Sequence, residues 1–221
     1  MRSYNLRTGG FLAESASEAN LEFPGQAPIP ELDHDTPPSE EAGTSNFKRF
    51  FLDIIETLLL SAILFIVINA VTARVRVDGY SMVPTFQGGE FIIVSKMTYK
   101  FGELSRGDIL VFHQPRDPDQ DYIKRVIGLP GETVRVNNEQ VLIDGQVLDE
   151  PYINEAPRYT GSWVVPEGMV FVLGDNRNNS SDSHSWGPLS MNNVIGRAIF
   201  VYWPFSSLGK IEHPEVVLAA P

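Results

Sequence analysis

Residues 57–78 read TLLLSAILFIVINAVTARVRVD, and a change of rhythm within them decides the fold. Up to Ala73 the run is apolar on every face of a helix, a pattern that suits lipid better than the flank of a soluble core. From Arg74 onward, charged and apolar residues alternate with the period of two that marks a strand. The boundary therefore divides one apolar helix from a β-rich remainder.

Upstream, the uncharged part from Thr57 to Ala73 is 17 residues long. That is near the lower limit for a helix crossing a hydrocarbon core of about 30 Å at about 1.5 Å per residue. Asp53 and Glu56 precede it and belong at the interface, where a helix N-terminus tolerates acids. We expect a single membrane anchor over residues 47–73. Val71-Thr72-Ala73 could end a cleaved leader, but such leaders occupy about the first 15–30 residues of a chain, and this segment starts near residue 50. Flanking charge does not orient the span, because Lys48 and Arg49 before it balance Arg74 and Arg76 after it. Residues 1–46 carry two arginines and eight acids among many prolines and small polar residues, the composition of a disordered acidic tail.

Downstream, EFIIVSKM, GDILVFHQP, DYIKRVIGLPG, ETVRVNNEQVLIDGQVL, GMVFVLGDN and NVIGRAIFVYWP are short β-like runs bounded by Gly, Pro, Asn and Asp. The NN and DG pairs mark tight turns. No long amphipathic helix and no internal repeat interrupts them. The expected fold is mostly β: an antiparallel sheet, coiled on itself, over residues 74–221. The net charge of −11 and the lack of a basic patch argue against nucleic acid and against a polybasic lipid-binding surface. The chain has no cysteine, which excludes disulfides, thiolate metal sites and a cysteine nucleophile.

The chemistry starts from Val77-Asp-Gly-Tyr-Ser-Met-Val-Pro-Thr-Phe86, where Ser81 follows a glycine turn. The chain has four histidines, none near Ser81 in sequence, so another base is needed if Ser81 is a nucleophile. In DYIKRVIGLPG, alternation sets Lys124 and Arg125 on opposite faces, each among apolar neighbours, so one of the two cations is expected to turn inward. A buried lysine can lose up to about 3–5 units of pKa and become a neutral amine near pH 7, whereas an arginine cannot. Lys124 is the candidate base, and a serine–lysine dyad needs neither histidine nor metal. Asp175, Asp182, His184 and His113 raise the question of a metal site, but no pair has the spacing of a known zinc motif; no metal and no cofactor is expected.

Four segments in order after the apolar span closely resemble the type I signal peptidases, or leader peptidases, which are membrane-anchored Ser-Lys endopeptidases. They are Gly79-Tyr-Ser-Met-Val-Pro-Thr85, Arg106-Gly-Asp-Ile-Leu-Val-Phe112, Tyr122-Ile-Lys-Arg-Val-Ile-Gly-Leu-Pro-Gly-Glu132 and Gly174-Asp-Asn-Arg-Asn-Asn-Ser-Ser-Asp-Ser-His-Ser-Trp-Gly187. The resemblance implies that Ser81 attacks the scissile carbonyl and Lys124 relays its proton. It implies that Met82 walls the site, that Ser180 hydrogen-bonds the lysine amine, and that Asp182 supports this geometry. It implies an ion pair between Asp175 and Arg125, and a structural role for Arg177. It implies that the Ser81 N–H serves the oxyanion hole. Gly79 stands where some members carry a serine hydroxyl as second donor, and His184 stands where a basic residue, often arginine, is common.

The resemblance further implies a small second β subdomain over about residues 131–173 and cleavage of exported preproteins after small residues at −1 and −3. Tyr80 and Val83 are candidates to wall the pockets for those residues, on a substrate strand added to an exposed edge. Preprotein signal peptides, the lipid bilayer and the protein-export translocon are the implied partners. The implied topology has a cytoplasmic N-terminus and an extracytoplasmic catalytic domain. Two readings compete: a self-cleaving repressor, which the anchor argues against, and an inactive membrane-tethered domain that binds signal peptides, which the presence of both Ser81 and Lys124 argues against.

Overall fold

The computed structural model describes residues 41–137, 139–214 and 218. The expectation of disorder for residues 1–46 falls largely outside them; within them, α1 (Glu41–Val71) starts six residues before the expected anchor. The stretch Asn46–Val71 is long and apolar enough to cross a membrane, with a mean hydropathy of 2.5 and none of it buried. No glycine ends the helix. Its last carbonyls are taken instead by the strand beside it: Lys96 N–H donates to Val71 O at 3.0 Å and Lys96 Nζ to Asn69 O at 3.3 Å.

The helix runs without a loop into β1 (Thr72–Arg76), which is followed by β2 (Phe91–Ser95), the single-turn α2 (Thr98–Phe101), β3 (Ile109–Gln114) and β4 (Asp117–Gly128). Next come β5 (Thr133–Asn137), β6 (Val141–Ile143), β7 (Gln146–Val147) and β8 (Thr160–Val164). The order closes with β9 (Met169–Leu173), α3 (Ser183–Trp186), β10 (Leu189–Ser190), β11 (Val194–Trp203) and β12 (Gly209–Lys210). The large sheet has the order β1-β2-β11-β3-β4-β9-β10, with β12 paired to β11. A second sheet, β7-β6-β5-β8, lies between β4 and β9 in sequence. All ladders are antiparallel. The fold is the mostly-β architecture expected, behind one apolar helix.

Alternation along β3 shows where the cores lie. Ile109 and Val111 pack with Met82, Phe86, Ile92 and Val94, while Leu110 and Phe112 pack with Val126, Val170 and Val172. Both faces of the sheet centre are therefore dry. The small sheet has its own core of Val134, Val136, Val141 and Ile143, against Ile127 and Phe171. Its DG turn places Asp144 at φ +50° and Gly145 at φ +87°, the left-handed pair that a two-residue hairpin turn demands.

Burial on both faces corrects one expectation. Not one but both cations of β4 are inside: Lys124 is 3% exposed and Arg125 1%. One face of β4 is covered by the core that holds Ile123, Ile109 and Val111 and the other by the core that holds Val126, Leu110 and Phe112, so neither face offers a water-facing position near residue 125.

Candidate active site

Ser81 sits on a tight turn clamped from both sides. Val83 N–H bonds to Tyr80 O and Phe86 N–H to Met82 O, while Met82 and Phe86 are sunk in the core. Gly79 enters the turn at φ +93°, in the left-handed region, with open space where a Cβ would stand. Its glycine is thus required by backbone conformation rather than by crowding. From the far side of the sheet sequence, the 174–182 loop docks on the same turn. Asn176 donates its N–H to Ser81 O and its Nδ2 to Tyr80 O, both at 3.0 Å. Gly174 lies against Ser81 O and Ser180, with no room for even a methyl group.

Lys124 Nζ stands 2.8 Å from Ser81 Oγ and donates to Ile123 O, also at 2.8 Å. No carboxylate touches the amine among the described residues. Burial pushes its pKa down to about 8, against the more distant pull of Asp182 and Asp175 in the opposite direction. The pair opens onto a cleft of about 810 Å³. One wall is residues 74–81 and the other residues 120–124, with Asn179 and Ser181 at the rim. Tyr80 lines this cleft; Val83, the other residue expected to wall it, does not, and Ile123 does.

Comparisons with known proteins place the chain in a family. The model of a family described as "Signal peptidase, peptidase S26" matches residues 51–203. The chain belongs to that family. The probable signal peptidase I-1 of Synechocystis sp. is 44% identical over 172 residues, covering 74% of this chain and 88% of that protein. Signal peptidase I of Leptolyngbya laminosa is 42% identical over 189 residues, covering 81% and 93%. A solved structure of a signal peptidase I from Enterococcus faecalis V583 is 37% identical and covers 43% of this chain and 96% of that one, with a TM-score of 0.40. The chain is thus a peptidase of signal-peptide processing.

Around the signal peptidase centre, the other expected residues fall into separate groups. Arg125 meets Asp175 through two parallel bonds, Nε to Oδ1 at 2.8 Å and Nη2 to Oδ2 at 2.6 Å. It also donates to Gly107 O and lies 4.0 Å over the Tyr152 ring. Thr85 Oγ1 donates to Asp175 at 2.5 Å, tying this pair to the nucleophile turn. Arg177 donates to Gly174 O and forms a two-pronged pair with Glu150. Asp182 caps α3, accepts from Gly174 N–H at 2.9 Å, and meets His184 Nδ1 at 2.6 Å. The hydrogen bond to Asp182 raises the His184 pKa, and the imidazole stacks on Tyr159 at 4.3 Å.

Ser180 departs from the role the resemblance implies. Its Oγ is buried and has no hydrogen-bond partner among the described residues, while Ile123 O and Ser81 Oγ take the amine's bonds. His113, weighed as a metal ligand, pairs instead with Asp121 at 2.8 Å. No cluster of three His, Asp or Glu side chains able to hold a metal occurs among the described residues.

The sequence reading assigned no role to Glu150, Tyr152, Thr85, Asn176 or Gly174. The last three lie inside segments already singled out, so a signal was present. Glu150 and Tyr152 lie outside every such segment. Only the rule that a buried arginine needs an acid pointed to a partner for Arg177, and the rule does not say which acid.

Proposed function

We propose that this protein is a membrane-bound serine endopeptidase that removes N-terminal signal peptides by a Ser81–Lys124 dyad, cutting after small residues of the Ala-X-Ala type. The observation that carries the reading is the 2.8 Å approach of a buried Lys124 amine to Ser81 Oγ. At the ordinary lysine pKa only about one amine in 3,000 is neutral at pH 7, a deficit of about 4.7 kcal/mol. With the pKa at about 8, about one in ten is neutral and the deficit falls to about 1.4 kcal/mol.

Ser81 Oγ attacks the scissile carbonyl while Lys124 takes its proton. The ammonium then protonates the departing amine and leaves an acyl-enzyme. The neutral amine next activates water to release the signal peptide's new carboxylate. The Ser81 N–H has no acceptor among the described residues and serves the oxyanion. Met82 and Gly79 hold the serine turn, and the groups of Arg125, Asp175, Arg177 and Asp182 hold the strand and loop against it.

Two free strand edges support substrate addition as an extended strand. The outer edge of β1 has no partner among the described residues, and β4 pairs with β9 only from Arg125 onward. Their unpaired backbone lines the cleft at residues 74–77 and 120–123. α1 anchors the enzyme in the bilayer that holds the signal peptide, which raises the effective concentration of one for the other. The N-terminus lies in the cytoplasm and the catalytic domain outside it, near the export translocon that delivers preproteins. A protease-protection assay that finds the tail outside overturns this orientation.

The test is cleavage of a preprotein with an Ala-X-Ala site by detergent-solubilised wild type, Ser81→Ala and Lys124→Ala across pH. Wild type should cut, with a rate rising through about pH 8. Both variants should stay folded and fail. A Lys124→Ala enzyme that cuts as well as wild type overturns the dyad.

A further inference from the structure

Asn176 grips the peptide groups on both sides of the Ser81 Cα. Its backbone N–H donates to Ser81 O and its side-chain Nδ2 to Tyr80 O, each at 3.0 Å. Chemistry fixes the polarity of the second bond, because a carbonyl oxygen only accepts and Nδ2 is the donor end of the amide.

Tyr80 O and the Ser81 N–H belong to one peptide group. That group is planar and trans; the cis bonds of the described residues are Val83–Pro84 and Trp203–Pro204. Its C=O and N–H therefore point in opposite directions, and whatever fixes the first aims the second. Tyr80 O takes one bond from within the turn, from Val83 N–H at 3.2 Å, and one from a residue 96 positions away. With its C=O turned toward Asn176, the Ser81 N–H is left pointing away from the loop. Donation to the peptide oxygen also polarises the N–H on the far side of the plane and makes it the stronger donor.

Asn176 is itself pinned. Asp175 before it is joined to Arg125 by two bonds, and Arg177 after it is joined to Glu150 and to Gly174 O. Asp175 and Arg177 are both buried, and Asn179 N–H closes the loop on Asn176 O at 3.0 Å. The two ion pairs thus bracket the one residue that reaches the nucleophile's backbone from both sides.

We propose that Asn176 is a positioning residue for the oxyanion hole: its side-chain amide holds the Tyr80–Ser81 peptide plane so that the Ser81 N–H meets the oxyanion of the tetrahedral intermediate. The proposal rests on the reading of Ser81 as the nucleophile. A donor already aimed needs no reorientation when charge develops, so the benefit falls on the transition state and on kcat rather than on KM.

The test uses two peptides of one Ala-X-Ala sequence, with the detergent-solubilised full chain. The first ends in an aldehyde. Ser81 Oγ bonds to its carbon, the carbonyl π pair becomes an oxyanion in the hole, and Lys124 holds the serine proton. The second has a methylene in place of the scissile carbonyl, so it puts no oxygen there. Asn176→Ala keeps the backbone bond to Ser81 O and removes only the amide. Its kcat on a cleavable peptide should fall about tenfold at unchanged KM, less than the roughly 10²–10³ that follows loss of a whole oxyanion donor. Its affinity for the aldehyde should weaken about as much as kcat falls. Affinity for the methylene peptide should not change, which also reports that the variant is folded. Asn176→Asp, of the same shape but with an acceptor facing Tyr80 O, should lose more on the first two measures and nothing on the third. Equal losses for both ligands overturn the proposal and make Asn176 a brace of the turn. A wild-type preference for the aldehyde that survives intact in both variants overturns the proposal alone. A wild type that neither cuts nor prefers the aldehyde overturns the Ser81 reading with it.

Discussion

Lys124 and Arg125 are neighbours on β4, both almost fully buried, and the protein keeps them by opposite means. Arg125 has its charge matched: two bonds to Asp175, one to Gly107 O and an aromatic ring beneath the guanidinium. Lys124 has a hydroxyl, a carbonyl oxygen and the Tyr122 ring 5.1 Å away, but no carboxylate in contact. A buried charge without a partner is expensive, so the lysine sheds its proton more readily, to a pKa of about 8. The arginine, which cannot shed one, is paired instead. Burial thus has a different product at each position: an ion pair that ties the loop to the sheet, and an amine held ready to accept a proton.

The strongest way to break this comparison is to exchange the two cations. Lys124→Arg keeps charge and bulk but cannot become neutral. Preprotein cleavage should fall by about 10⁴-fold or more at every pH from 6 to 10, the scale seen when one member of a catalytic pair is lost. Residual activity that rises through pH 8 in this variant would mean that Lys124 is not the titrating base.

The reciprocal change acts on stability. Arg125→Lys loses the fork that grips both Asp175 oxygens and leaves that carboxylate buried and underpaired. Unfolding by denaturant should show a loss of about 2–4 kcal/mol, near the cost of breaking a buried pair. Activity per folded molecule should fall less than it does for Lys124→Arg. An unchanged midpoint would show that Asp175 finds equivalent partners in Thr85 and water.

How much of this contrast could be read in advance depends on distance along the chain. α1, the strands and the DG turn were legible because period and turn chemistry act within a few residues. The order of the four segments named the family, and alternation set Lys124 and Arg125 on opposite faces. What local pattern could not carry was the packing of a second layer on each face, which buries both cations rather than one. Nor could it carry Glu150 as the partner of Arg177, 27 residues away, or the place of Ser180, whose Oγ lies off the amine in this structure. Such partners are chosen by where loops land on the sheet.

If the lysine is held without compensation, removing it should stabilise the fold. In Lys124→Met the penalty of burying the ammonium disappears. The lysine's folded-state pKa of about 8 is below its unfolded value of 10.5. Between those limits the unfolded chain binds more protons, so stability rises with pH across that window. The penalty is therefore complete below about pH 8 and gone above 10.5. At pH 7 the variant should be more stable by about 3 kcal/mol at most, and the gain should vanish by about pH 10.5 in paired thermal melts. A gain that does not depend on pH would trace to better packing rather than to the charge.

The smallest effect separates the lysine's own burial from the field around it. Asp182 raises the Lys124 pKa from a distance, opposing desolvation, and Asp182 is itself paired with His184. The pairing raises the imidazole's pKa, so His184 is a cation at low pH and releases its proton above the usual histidine value. Once neutral, it opposes Asp182 less, and the carboxylate's pull on Lys124 grows. His184→Arg keeps a cation there at all pH and should move the rising limb of the pH–rate profile to lower pH. His184→Gln carries no cation at any pH and should not share that shift. The shift should be of order 0.3 pH unit, as for a screened charge not in contact with the amine. A limb lowered by His184→Arg but not by His184→Gln, with little change in the plateau rate, requires that the carboxylate field reach Lys124. A profile unmoved by either leaves desolvation alone to set the amine's pKa, and reduces the Asp182–His184 pair to a brace for α3 and Gly174.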